Sequence, residues 1–250
     1  MTYNVLNGGA GREVYIREVL QLMQPDIVVL QEVYQRAFVQ ALGELMGMTA
    51  FFGAGNRQRR VALLSRFPLL ACESHRTFPP IWRNTVRATL EYRPGKKLHI
   101  LGVHPMANLA VPFELWRWWE ARYNISLLKP FMSEPCLIAG DLNAIAPSDP
   151  VNVQEMPAWL RWAIFLQGNR VFRFSIGAYQ KAGFSDCFRD LHPGEKGYTL
   201  PPPKPNARLD YILVNAVLHP MVRSCSVVDK PSSVNQASDH YPLIAEFEPG

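Results

Sequence analysis

The sequence predicts an α/β fold with mixed β-sheets, and three features carry that prediction. The first 47 residues alternate apolar strand-like runs with segments of helical spacing, the pattern of βα units. Residues 49–103 then hold short strand-like segments separated by Gly and Pro turns, which reads as an antiparallel meander. Within the first segment, Ile27-Val28-Val29-Leu30 is a continuous, largely β-branched run, the mark of a strand buried on both faces.

Taken in order, residues 2–6 read as a short strand, interrupted by Asn4 and ended at Gly8-Gly9-Ala10-Gly11. Residues 12–24 place Val14, Ile16, Val19, Leu20 and Leu22 at helical spacing, and Pro25-Asp26 ends the helix. The strand at 27–30 runs directly into Gln31-Glu32, and residues 34–47 form a second amphipathic helix closed by Gly43 or Gly47. The meander follows, with a basic turn at Asn56-Arg57-Gln58-Arg59-Arg60. Its last strand ends at His104-Pro105, because Pro cannot continue a ladder. Residues 112–128 form a helix with Trp116, Trp118, Trp119, Arg117 and Arg122, which core packing of the tryptophans explains best. Cys136-Leu137-Ile138-Ala139-Gly140 is a buried strand that leads into Asp141-Leu142-Asn143. Residues 157–174 are an amphipathic, basic helical stretch with a stop at Gly168-Asn169. A short helix at 176–182 follows, and 185–190 continues it. Residues 207–214 form a strand with Asp210 inside it, and Ser238-Asp239-His240 precedes the last strand.

The chain of 250 residues, 48% hydrophobic, is long enough for one large core, and a single domain over residues 1–250 is expected. No stretch reaches the ~20 apolar residues of a membrane span. Neither a signal peptide nor a disulfide pattern is visible: Cys72, Cys136, Cys187 and Cys225 stand far apart in mostly apolar surroundings. A cytoplasmic, monomeric protein with reduced cysteines is the expectation. The formal net charge of +5 favours anionic partners, although an ordinary solvated basic surface also accounts for it.

The chemistry-bearing residues recur at the ends of apolar runs: Asn4, Glu32, His104, Asp141 with Asn143, Asp210, and Asp239 with His240. If Asp141 and Asn143 continue the strand, they lie on one face and aim at one point. The competing reading is an Asp/Asn turn that merely closes the strand. Gly140 lets a ligand or another backbone approach. Asp210, buried in an apolar run, needs a partner. The donor set is rich in oxygen and holds no thiolate, which selects Mg²⁺ or Mn²⁺ over zinc.

Thr-Tyr-Asn at 2–4, Leu-Gln-Glu at 30–32, Val-His at 103–104, Gly-Asp-Leu-Asn at 140–143, Arg-Leu-Asp-Tyr-Ile at 208–212 and Ser-Asp-His-Tyr-Pro at 238–242 occur in that order. Together they resemble the endonuclease/exonuclease/phosphatase (DNase I-like) superfamily over nearly the whole chain. The resemblance implies a four-layer α/β sandwich, two mixed β-sheets packed face to face with helices outside. It implies that Asn4, Glu32 and Asp239 hold the metal. Asp141 would activate or orient the attacking water, and Asn143 would hold the phosphate or complete a second metal site. His240 would stabilise charge on a phosphate oxygen, oriented by Asp210, and His104 would contact the scissile phosphate or assist the leaving group. Arg117 and Thr199 are weaker substrate-binding candidates.

Three classes of function remain. A nuclease is favoured by the basic charge, by Arg57, Arg59 and Arg60, and by the Trp-rich helices. A phosphatase or a sphingomyelinase-like lipid phosphodiesterase comes next, kept open by Trp159, Trp162 and Phe165; membrane contact is not favoured. A non-catalytic binding relative comes last, because every expected site residue is present. His104 stands where AP endonucleases usually carry Tyr, which argues against that branch.

Overall fold

The structure, a computed structural model, describes residues 1–55, 60–76, 84–107 and 110–248. In chain order the elements are β1 (Thr2–Asn4), α1 (Glu13–Met23), β2 (Ile27–Gln31), α2 (Arg36–Met46), β3 (Thr49–Phe52), β4 (Val61–Ser65), β5 (Leu69–Arg76), β6 (Asn84–Arg93) and β7 (Lys96–Val103). Then come α3 (Val111–Leu128), β8 (Cys136–Asp141), α4 (Ala158–Leu166), α5 (Phe174–Lys181), β9 (Phe184–Asp186), α6 (Cys187–Leu191), β10 (Asp210–Asn215), β11 (Val222–Val227), α7 (Val234–Ala237) and β12 (Leu243–Phe247).

Two six-stranded sheets form, in the orders β11-β12-β1-β2-β4-β3 and β5-β6-β7-β8-β10-β9. Both are mixed, with β1–β2 and β7–β8 parallel and the other pairs antiparallel. Val29, Leu63, Val86, Ile100, Leu137, Ile212 and Leu243, drawn from both sheets, form the core between them. Ile16, Val19 and Leu20 of α1 and Val39, Leu42 and Met46 of α2 cover the outer face of the first sheet. Ala121 and Leu128 of α3 and Ile176 and Tyr179 of α5 cover the second. The expected four-layer sandwich is what the chain forms.

Several elements depart from the sequence expectation. Helix α3 is inverted: Glu114, Arg117, Glu120 and Asn124 are buried, while Trp118 and Trp119 are exposed. The reason is a set of polar tethers. Glu114 accepts from the amide and hydroxyl of Ser175, Glu120 accepts from the Met106 amide, and Asn124 bonds Thr85 and Tyr179. Trp118 instead lies under Arg122, 5.1 Å from its ring centroid. In the stretch at 157–174 the expected stop at Gly168-Asn169 holds: α4 ends just before it, both residues take left-handed φ, and α5 begins after it. Residues 184–186 add the edge strand β9, and only then does α6 begin, capped by the Asp186 side chain on the Arg189 amide. Asp210 opens β10 instead of lying inside it. Strand β11 and helix α7 carry no clear pattern in the sequence.

Candidate active site

The polar residues meet where strand ends from both sheets converge. The pairing of β8 with β10 sets Asp141 directly opposite Asp210. The parallel pair β1–β2 delivers Asn4 beside Gln31, and Glu32 follows at once. His104 follows β7, which runs parallel to β8, and His240 comes just before β12. Gly140 serves a backbone here: a Cβ on it would lie 2.0 Å from the Val103 carbonyl oxygen, so glycine permits the close packing of β7 on β8.

Asp141 is the hub. Its Oδ2 accepts from Asn4 Nδ2 at 3.0 Å, and the Nε2 atoms of His104 and His240 stand 3.6 and 3.7 Å from it. Its Oδ1 accepts the Asn143 amide at 2.9 Å. Asn4 Nδ2 also reaches Glu32 Oε1 at 3.3 Å, and His104 Nε2 lies 3.9 Å from that oxygen. Glu32 Oε2 accepts the Asn7 amide at 2.8 Å. Behind this group, Asp210 Oδ2 receives His240 Nδ1 at 2.8 Å, while Asp210 Oδ1 is buried without a hydrogen-bond partner among the described residues.

These charges shift one another. Burial pushes the Asp141 carboxyl up to about 7; the His240 charge opposes the shift and Asp210 adds to it. Burial works against charge on His240, but Asp210 and Asp141 outweigh it and raise its pKa to about 10. His240 is therefore an imidazolium at neutral pH. Leu6, Asn7, Glu32 and Asn143 all take left-handed φ, 47°, 49°, 59° and 50°. Backbone strain thus gathers at the site, held by the hydrogen bonds around Glu32 and Asp141.

The structure corrects some expected placements. Asn143 lies beyond β8 and does not share a strand face with Asp141. Its amide closes an Asx turn on Asp141, and its Nδ2 donates to the Pro105 carbonyl. The turn reading and the site reading therefore both apply. Arg117 is no surface phosphate clamp: its buried guanidinium donates to Glu114 and to the Met106 carbonyl. Thr199 is buried as well and acts as a strut. Its Oγ1 accepts the Leu209 amide and its carbonyl accepts the Tyr241 amide, which ties the segments that carry Asp210 and His240. Asp239 is half-buried, with Ser238 Oγ 3.4 Å from its Oδ1. Arg57 and Arg59 lie outside the described residues, and Arg60 is turned to the Gly55 and Tyr34 carbonyls.

Sequence reasoning assigned no role to Asn7 and Ser238. The Asn7 amide fixes Glu32, and Ser238 Oγ donates to the Asn4 carbonyl and accepts the His240 amide. The Ser-Asp-His triplet was a signal for Ser238; nothing marked Asn7, whose contribution comes from its backbone.

The residues fit a divalent cation. Asp141 and Asp210 each offer a carboxylate oxygen within 4.8 Å of the other and of a ring nitrogen of His240, and Glu32 adds its carboxylate beside Asp141, the two joined through Asn4 Nδ2. The separations of 3.6–3.9 Å around Asp141 and Glu32 are too long for hydrogen bonds and suit groups that share a ligand. Oxygen donors of this kind suit a hard cation.

Residues 1–240 match the Endonuclease/Exonuclease/phosphatase family. The chain belongs to that family. Its members are phosphoester hydrolases, and the family is generally dependent on divalent metals. The chain is 26% identical to exodeoxyribonuclease III of Haemophilus influenzae, over 99% of each chain. Its fold is similar to that of an AP endonuclease from Archaeoglobus fulgidus, with a TM-score of 0.77, 21% identity, and 99% and 98% of the two chains covered. It is also similar to D. rerio TDP2 complexed with single-strand DNA product, with a TM-score of 0.71, 19% identity, and 99% and 97% covered.

Proposed function

We propose that the chain is a Mg²⁺- or Mn²⁺-dependent phosphodiesterase that cleaves nucleic acid. The observation that carries the reading is the convergence of Asn4, His104 and His240 on the buried Asp141, beside Glu32. Relatives named for exodeoxyribonuclease, AP endonuclease and DNA-product binding support nucleic acid as the substrate.

In this reading Glu32, Asn4 and Asp239 would hold the cation. When bound, it neutralises phosphate charge and acidifies water. Asp141, raised toward neutrality by burial, takes the proton of the attacking water. The water oxygen bonds to phosphorus as the phosphorus–oxygen bond to the leaving group breaks. His240, kept protonated by Asp210, donates a hydrogen bond to the phosphate oxygen on which charge builds. His104, near both Asp141 and Glu32, assists the leaving oxygen. Asn143 keeps Asp141 oriented through its amide.

A second reading, a phospholipid phosphodiesterase, draws on Trp159, Trp162 and Phe165, which are 60%, 62% and 57% exposed on α4. The test is purified protein on duplex DNA, single-stranded DNA, RNA, sphingomyelin vesicles and bis(p-nitrophenyl) phosphate, with Mg²⁺ and with EDTA. Cleavage of nucleic acid that EDTA abolishes is the expected result. Hydrolysis of the lipid without nucleic acid would replace the first reading by the second.

A further inference from the structure

A single row of residues crosses the second sheet at its site end. Strands β6 and β7 pair Val86 with Gly102, so the same register two residues on sets Asn84 opposite His104. Strands β7 and β8 run side by side with Val103 at Gly140, which sets His104 beside Asp141. Strands β8 and β10 pair Asp141 with Asp210. Residues directly across from one another put their side chains on the same face. Strands β6, β8 and β10 and the residue just after β7 therefore bring Asn84, His104, Asp141 and Asp210 toward one line, and all four are buried.

Three members of the row belong to the site already described; Asn84 is the fourth. Both polar atoms of its carboxamide are buried and have no hydrogen-bond partner among the described residues. The side chain reaches across the gap between the sheets to the loop after β3. There a Cβ on Gly55 would lie 1.6 Å from Asn84 Nδ2, so only glycine leaves room for the carboxamide. A buried amide without a partner costs roughly 1–3 kcal/mol, and leucine would fill the same volume without that cost. Burial does not set Asn84 apart from the reacting groups, since His104 and Asp141 are as deeply enclosed.

We propose that Asn84 is a substrate-binding residue whose carboxamide donates to a non-bridging phosphate oxygen beside His104. Neighbours across an antiparallel pair have Cβ atoms about 4.5–5.5 Å apart, which lets both side chains serve one phosphate. The proposal rests on the phosphodiesterase reading of the site but does not depend on which alcohol carries the phosphate.

The test compares wild type with Asn84→Leu, Asn84→Ser and Asn84→Asp. The substrates are a single-stranded oligonucleotide and bis(p-nitrophenyl) phosphate with Mg²⁺, and inorganic phosphate binding is followed by calorimetry. Asn84→Leu is expected to lower kcat/KM roughly 10- to 100-fold on both substrates, the usual weight of a hydrogen bond to a charged group. Its Tm should equal or exceed that of wild type, and inorganic phosphate should bind correspondingly more weakly. Asn84→Asp should lose more, because its carboxylate faces the phosphate, and Asn84→Ser less. Activity and phosphate binding within twofold of wild type in Asn84→Leu would overturn the proposal, and so would losses that track a falling Tm across the three variants. Wild type that cleaves bis(p-nitrophenyl) phosphate but not the oligonucleotide would sink the nucleic-acid reading and leave Asn84 to be judged on the small substrate.

Discussion

Two buried charge clusters lie at the ends of β8, β9 and β10, and they are built differently. In one, Arg208 donates to both carboxylates, Asp149 and Asp186. Asp149 also receives the Arg189 guanidinium and the Tyr211 hydroxyl. Both oxygens of each acid are bonded, and Arg208 lies over the Tyr211 ring, 4.4 Å from its centroid. In the other cluster, Asp210 keeps a buried oxygen with no partner among the described residues, and Asp141 faces two imidazoles at distances beyond hydrogen bonding. Its groups are driven far from their ordinary pKa values, Asp141 to about 7 and His240 to about 10. A cluster with completed valences holds a fold together; one with open valences is poised for a ligand. Substitutions in the two clusters should therefore fail in opposite ways.

The largest effect is expected at the open cluster. Asp141→Asn should lower kcat roughly 10²- to 10⁴-fold, the usual range for a lost general base, with Tm unchanged or raised because a strained buried charge is gone. Steady-state kinetics and thermal melts on the same preparation check this; near-normal turnover would remove Asp141 from its role. Arg208→Met should do the reverse. It leaves the buried Asp186 without its cation and Asp149 with Arg189 alone, and should cost about 3–5 kcal/mol of stability, measured by urea unfolding. Stability within 1 kcal/mol of wild type would show that the closed cluster is not a tie. Thr199→Val, between the two, leaves the Leu209 amide unpaired and should cost roughly 1–3 kcal/mol, with a modest loss of kcat as Asp210 and His240 loosen.

A further prediction concerns pH. The folded pKa of His240 is raised from 6.5 to about 10, so its contribution to stability is complete below pH 6.5 and is lost as pH rises through 10. In metal-free protein the Tm advantage of wild type over His240→Gln should shrink between pH 7 and pH 10. An advantage independent of pH over that range would mean that His240 is not held as an imidazolium.

The fold and the site differed in how far the sequence revealed them. The site residues were legible because strand-end Asp, Glu, Asn and His interrupt strongly apolar runs, and because six short motifs occur in one order. Helix α3 was misread because composition alone treats tryptophan as core and charge as surface. The buried partners of Glu114, Glu120 and Asn124 come from Ser175, Met106, Thr85 and Tyr179, remote in sequence. The closed cluster escaped notice for the same reason, since Asp149, Asp186 and Arg208 are joined only by the folding of three separate segments. Asn84 carried no signal before the register of β6 on β7 set it in line with His104.

The most direct test of the account is metal-dependent cleavage by the open cluster. Protein dialysed against EDTA is assayed on a 5′-labelled oligonucleotide before and after Mg²⁺ is restored, with Asp141→Asn in parallel. The account predicts cleavage only by wild type and only with the cation. Cleavage that persists in EDTA, or that Asp141→Asn matches, would contradict it.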